Sequence, residues 1–159
     1  MSIAAIKAKI VELLYNLPEP GQVVAFPGAE LDAEAAGDFS GFFTSITRNG
    51  ITQTRRTLGG SGAGKMDRVH AIDIDVYLPM DVSSGAGAAA NEERFDARID
   101  AILQALASRT SLDGLASRSE PPHALEDSNG IRFYRGVVQC RYRRIRWEVT
   151  EDARYDGRH

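Results

Sequence analysis

Ile3, Ile6, Ile10, Leu13, Leu14 and Leu17 recur at intervals of three and four, so they share one face of a helix that Ser2 is placed to cap. Pro18, Pro20 and Gly21 stop that helix near Leu17, because proline removes a donor and fixes φ. Gln22 to Phe26 has the β-branched and aromatic make-up of a short strand and is ended by Pro27 and Gly28; Ala29 to Gly41 reads as an acidic, alanine-rich loop or short helical turn. The runs Phe42 to Thr47 and Ile51 to Leu58 flank Asn49 and Gly50, a pair that predicts a tight hairpin turn. Leu58 to Lys65 is a flexible glycine loop. Beyond it Ile72, Ile74, Val76 and Leu78 alternate with Asp73, Asp75 and Tyr77, which predicts a strand with one oily and one polar side.

Pro79 to Ala90 reads as a mobile connector of small residues, and a second helix is expected from about Asn91 to Ala107 with Phe95, Ile99, Ile102, Leu103 and Leu106 as its buried stripe. Leu112, Gly114 and Leu115 suggest a packed turn, and Ser117 to Gly130 is polar. Ile131 to Val149 reads as a strand or strand pair bent at Gly136. Within it Val138, Cys140 and Tyr142 are out of phase with Ile145, Trp147 and Val149, so a register break is expected near Arg143 and Arg144. Together these elements predict an α+β fold, a mainly antiparallel sheet of four to five strands with two helices packed on one face. The expected domain covers residues 1–150, followed by a flexible tail at 151–159.

A chain of 159 residues has room for one ordinary domain, and with 43% hydrophobic and 26% charged residues its composition is globular. No apolar run approaches the roughly 20 residues of a membrane-spanning helix. The amphipathic start, with Lys7 and Lys9, does not resemble a secretory leader, and a single cysteine, Cys140, rules out an intrachain disulfide; a cytoplasmic setting is expected. The formal charge of −3 conceals alternating blocks, −4 over residues 1–47, +4 over 48–68, −5 over 69–100 and +2 over 101–159. No block is a pure polycation, which argues against a general nucleic-acid coat, while neighbouring blocks of opposite sign suit contact between copies of one chain.

Several motifs have the letters of a chemical site without its context. Gly59 to Lys65 has the spacing of a phosphate-binding loop, but Met66 stands where a hydroxyl holds magnesium, and a strand is expected where the loop needs a helix. Gly85 to Ala90 matches a dinucleotide fingerprint, yet Pro79 and five further residues separate it from the preceding strand. Ser61 lacks the final glycine of a nucleophile elbow, and His70, His123 and His159 have no ligand spacing. Asp73 and Asp75 have the spacing of a magnesium pair, but opposition to arginines on neighbouring strands is the favoured reading. Arg132, Arg135, Arg141, Arg143, Arg144 and Arg146 interleave with Tyr134, Tyr142 and Trp147, a pattern that suits base stacking and, more simply, core packing.

The order of the pieces resembles a known family. A leucine-rich N-terminal helix ending in proline and a polar hairpin lead to a strand closing on Val76-Tyr77-Leu78-Pro79. A small-residue loop, a helix with Arg94, Asp96, Ile99 and Leu103, a Leu112-x-Gly114 turn and a long Arg-Tyr-Arg strand then follow. This succession, over about Ile3 to Glu148, resembles the tail terminator or tail-completion proteins of long-tailed bacteriophages and related tail-like particles. The resemblance implies a structural virion protein, not an enzyme, with no cofactor, metal or catalytic residue. It would form a hexameric ring that caps the tail tube, ends tube elongation and meets a head-completion or neck protein, with DNA passing through the channel. Its place would be the virion neck, reached through the host cytoplasm. On that expectation Asp73 and Asp75 face the channel, and Arg55, Arg56, Ser61, Lys65, Arg141 and Arg143 contact neighbouring subunits or the tube. A head-to-tail connector or stopper is the nearest alternative, and a small nucleotide-binding enzyme using Gly59 to Lys65 is the alternative of a different class.

Overall fold

A computed structural model describes residues 3–25, 41–55, 64–80, 84–109, 112, 118–134 and 138–155. Helix α1 spans Ile3–Tyr15 and leads to β1, Gln22–Val24, which pairs parallel with β2, Phe43–Arg55. Strand β3, Gly64–Pro79, runs antiparallel to β2, and helix α2, Gly85–Ala107, follows it. Two-residue strands β4, Arg118–Ser119, and β5, His123–Ala124, a single 3-10 turn at Glu126–Ser128, β6, Gly130–Tyr134, and the long β7, Val138–Tyr155, complete the order. The sheet is mixed and seven-stranded: β1, β2, β3 and β7 lie side by side, and β4, β5 and β6 share the far side of β7.

Both helices bury their apolar stripes on one face of this sheet. Ile6, Ile10, Leu13 and Leu14 of α1 and Phe95, Ile99, Ile102 and Leu106 of α2 join Ile46, Ile72, Ile74, Ile145 and Trp147 in one core. The alternation of β3 therefore has its expected meaning, with the even positions under the helices. Trp147 is the largest buried side chain, and its indole nitrogen donates to the Glu120 carbonyl at 2.8 Å. Between α1 and β1, Gly21 adopts φ +60°, and a Cβ there would lie 2.0 Å from the Phe42 carbonyl oxygen. That close approach lets the Gln22 amide reach the same oxygen at 2.9 Å and seats β1 beside β2.

The structure corrects several expectations. Asn49 and Gly50 do not turn the chain. Arg48 pairs with Ile72 and Gly50 with Ala71, so Asn49 is the extra residue of a β-bulge inside one continuous strand. Positive φ values among the described residues fall at Glu19, Gly21 and Leu112, not at Asn49 or Gly50. Helix α2 begins at Gly85 instead of Asn91, because the Ser84 hydroxyl accepts from the Gly87 amide at 2.9 Å and the alanines that follow favour helix. The polar stretch before β6 holds β4 and β5, each too short to show a period, and the sheet gains a parallel pair that the pattern did not reveal.

The largest correction concerns β7. Its pairing with β3 is unbroken from Gly64 opposite Tyr155 to Pro79 opposite Cys140, with no break at Arg143 or Arg144. The two apolar phases are real, but they serve opposite faces. Ile145, Trp147 and Val149 lie under the helices, whereas Cys140 and Tyr142 belong to the other face, where Cys140 and Phe43 are buried with Val24, Tyr77 and Val138 against them. The strand also passes the boundary at residue 150, pairing as far as Tyr155. Gly136 and the residues after 155 lie outside the described residues.

Candidate functional site

On the face away from the helices, antiparallel register aligns Ser45, Asp75 and Arg144 in one row and Thr47, Asp73 and Arg146 in the next. Arg144 forks Asp75, with Nε donating to Oδ1 at 2.7 Å and Nη2 to Oδ2 at 3.1 Å. Arg146 forks Asp73 in the same way at 2.9 and 3.3 Å. A further contact at 3.7 Å joins Arg144 to Asp73, so the two pairs form one network. The Tyr142 hydroxyl donates to Asp75 Oδ1 at 2.7 Å. The arginines roof the carboxylates, leaving Asp73 2% and Asp75 7% exposed.

The electrostatics follow from this geometry. The hydrogen bond to Asp75 holds the Arg144 guanidinium above its ordinary range, and the bond to Asp73 does the same for Arg146. Burial raises the Tyr142 phenol above its ordinary value of 10, and the bond to Asp75 adds to the effect. Opposition of acids and arginines across the strands is thus the arrangement present. Each carboxylate oxygen is already engaged, and these aspartates do not present bare negative charge. Above the network the Tyr142 and Tyr77 rings lie 4.9 Å apart, and the Arg132 guanidinium stacks 3.9 Å from the centre of the Tyr142 ring.

Of the expected contact residues, Arg141 and Arg143 have described side chains. Arg141 is a strap within the chain: its Nε and Nη2 hold Glu92 of α2 at 2.8 to 3.0 Å, its Nη1 donates to the Gly130 carbonyl at 3.0 Å, and it stacks 4.8 Å from the centre of the Phe95 ring. Arg143 lies opposite Val76 on the helix side, half-buried, and its Nε has no hydrogen-bond partner among the described residues. Arg55 and Lys65 stand on β2 and β3, opposite Met66 and Arg154, and their side chains lie outside the described residues, as do Arg56 and Ser61. Strand β3 starts at Gly64, so no helix opens where the glycine loop would need one to hold phosphate. The fingerprint-like Gly85 to Ala90 forms the first turns of α2, but the strand before it, β3, is antiparallel to both neighbours, unlike the parallel strands from which such a fingerprint works.

The two edges of the sheet differ. One ends in the three-residue β1, held by the Tyr15 hydroxyl, which accepts from the Val23 amide at 3.2 Å. On the other, β6 turns Ile131 and Phe133 to the helix side, where they are 52% and 62% exposed. The sequence shows this patch as Ile131-Arg132-Phe133, an alternation that puts both apolar residues on one side; only the edge position makes them a surface. A buried pair also escaped the pattern: His70 Nε2 lies 2.7 Å from Glu151 Oε2, on strands far apart in the chain. No described helix is long and apolar enough to cross a membrane. No protein-family model and no curated protein sequence matches the chain.

Proposed function

We propose that this chain is a ring-forming structural protein of a phage-like tail, a tail terminator that caps the tail tube and joins it to the neck. The observation that carries the reading is the unlike pair of sheet edges. A closed head-to-tail ring needs two different complementary surfaces on each subunit. Here a short parallel strand stands at one side, and on the other an edge strand bearing the exposed Ile131 and Phe133 pairs only with β7 among the described residues. An exposed edge with large apolar side chains is a surface that natural proteins normally cover, and a neighbouring copy covers it by extending the sheet. The alternating charge blocks add complementarity between copies. The nucleotide-binding alternative is weakened by the strand that starts at Gly64. In this reading the DNA channel is not assigned to Asp73 and Asp75, whose charge is compensated within the subunit.

The test is the mass of the purified chain in solution and its appearance by electron microscopy, alone and with tail tubes. Closed rings or tube-end caps are expected, and Ile131→Ser with Phe133→Ser should abolish them while leaving the circular dichroism spectrum unchanged. A chain that stays monomeric at every concentration, and ignores tube ends, overturns the reading.

A further inference from the structure

Arginine 98 stands on the buried stripe of α2, one turn after Phe95, and is 3% exposed. Its Nη2 reaches the Pro20 carbonyl at 3.4 Å, and its Nε and Nη1 have no hydrogen-bond partner among the described residues. This is unlike Arg144 and Arg146, each of which forks a carboxylate through Nε and Nη2. Arg98 lines a pocket of about 170 Å³, open on one side, whose walls include Pro18, Phe42, Ala97 and Ala101. Arg94 and Arg98 both lie over the Phe42 ring, 5.2 and 5.7 Å from its centre. Arg94 is paired with Glu19 at 3.0 Å, and the same carboxylate also acts on Arg98 through space, so a single negative charge is shared between two cations.

We propose that this pocket is a carboxylate-binding site, in which Arg98 takes the anion and the apolar walls take the short carbon stem behind it. Two cations and the carboxylate of Glu19 leave a net charge of plus one among the charged groups lining the pocket, which matches a single carboxylate and disfavours a dianionic phosphate. The walls are apolar, so they suit an alkyl stem better than a strongly hydrated group. The bond to Pro20 and the Phe42 ring occupy only part of the guanidinium, whereas an apolar side chain of similar length would fill the space without burying donors that lack a partner among the described residues. Burial pushes the Arg98 guanidinium down to about 10, and the charge of Glu19 opposes that fall only in part. The carboxylate has two possible sources with the same chemistry, a free small acid or an acidic side chain of a second copy. The proposal does not depend on the ring.

The experiment follows the Arg98 Nε–H resonance of the full chain by nitrogen-15 NMR during titration with sodium acetate, with sodium chloride at equal ionic strength as control. A free acid as the ligand predicts a saturable shift with acetate, on the order of millimolar affinity, that chloride does not reproduce. An acidic side chain of a second copy predicts that the same resonance moves with protein concentration and that acetate reverses the change. In Arg98→Met, which lacks that resonance, the backbone amide signals of Ala97 and Ala101 are the reporter: their shift with acetate or with protein concentration, present in the parent chain, should vanish, and the melting temperature of the free chain should rise because a buried, incompletely paired cation is gone. A resonance indifferent to acetate and to protein concentration overturns the site. So does a lower melting temperature in Arg98→Met, which would make the arginine a structural strut.

Discussion

The Tyr142 hydroxyl and the Asp75 carboxylate meet at 2.7 Å across the β3–β7 pair, on the oxygen that also accepts Nε of Arg144. One buried carboxylate therefore organises two donors from the neighbouring strand. Asp75→Ala should cost about 2 to 3 kcal/mol, near the low end for a broken buried pair because Arg144 keeps access to water. Asp75→Asn, which still accepts from Tyr142, should cost less. Urea unfolding at neutral pH measures both.

Burial of the same phenol, with the bond to Asp75 adding to it, sets an alkaline limit. The folded Tyr142 phenol titrates above its ordinary value of 10, so the folded state holds a proton that the unfolded chain releases. Stability from this group is complete below pH 10 and falls as pH rises through the folded value. Tyr142→Phe should flatten that fall, and denaturation midpoints between neutral pH and pH 11 will show it.

At the acid end, the hydrogen bond from Arg141 holds Glu92 below its ordinary 4.5. Its contribution is present above that value and disappears as pH falls through the lowered one. Glu92→Gln should leave a shallower acid limb, read as melting temperature against pH, with a small effect at neutral pH because Glu92 is half exposed.

Gly21→Ala should be strongly destabilising. The residue has φ +60°, which costs roughly 1 to 2 kcal/mol for a side chain, and the new Cβ falls on the Phe42 carbonyl. Displacing Phe42 also disturbs the ring beneath Arg94 and Arg98, so the response of Arg98 to acetate should weaken in any folded fraction.

The helices and β3 were legible because each repeats its period over enough residues. The stripe from Ile3 to Leu17 and the alternation from Ile72 to Leu78 leave few other solutions. The Asn49-Gly50 pair misled because a hairpin turn and a bulge use the same residues, and only the partner strand decides between them. The phase change in β7 was visible, but its cause was not. A strand that buries apolar residues on opposite faces at its two ends looks, in one dimension, like a strand with a slipped register. Of the site, the pairing of Asp73 and Asp75 with arginines was readable from charge alternation. That Nε and Nη1 of Arg98 lack a hydrogen-bond partner among the described residues was not, since a lone arginine among apolar stripe residues gives no sign of what it will meet elsewhere in the chain.

The chain order of the sheet has a consequence for how the protein is made. Strand β7 is made after the other described strands of the sheet, yet it lies in the interior between β3 and the short strands beyond it. Until it emerges from the ribosome, β3 is a border strand whose solvent side carries two uncompensated aspartates. Charges at such a border repel like strands of other nascent chains, and arrival of Arg144 and Arg146 converts the guards into partners that complete the fold.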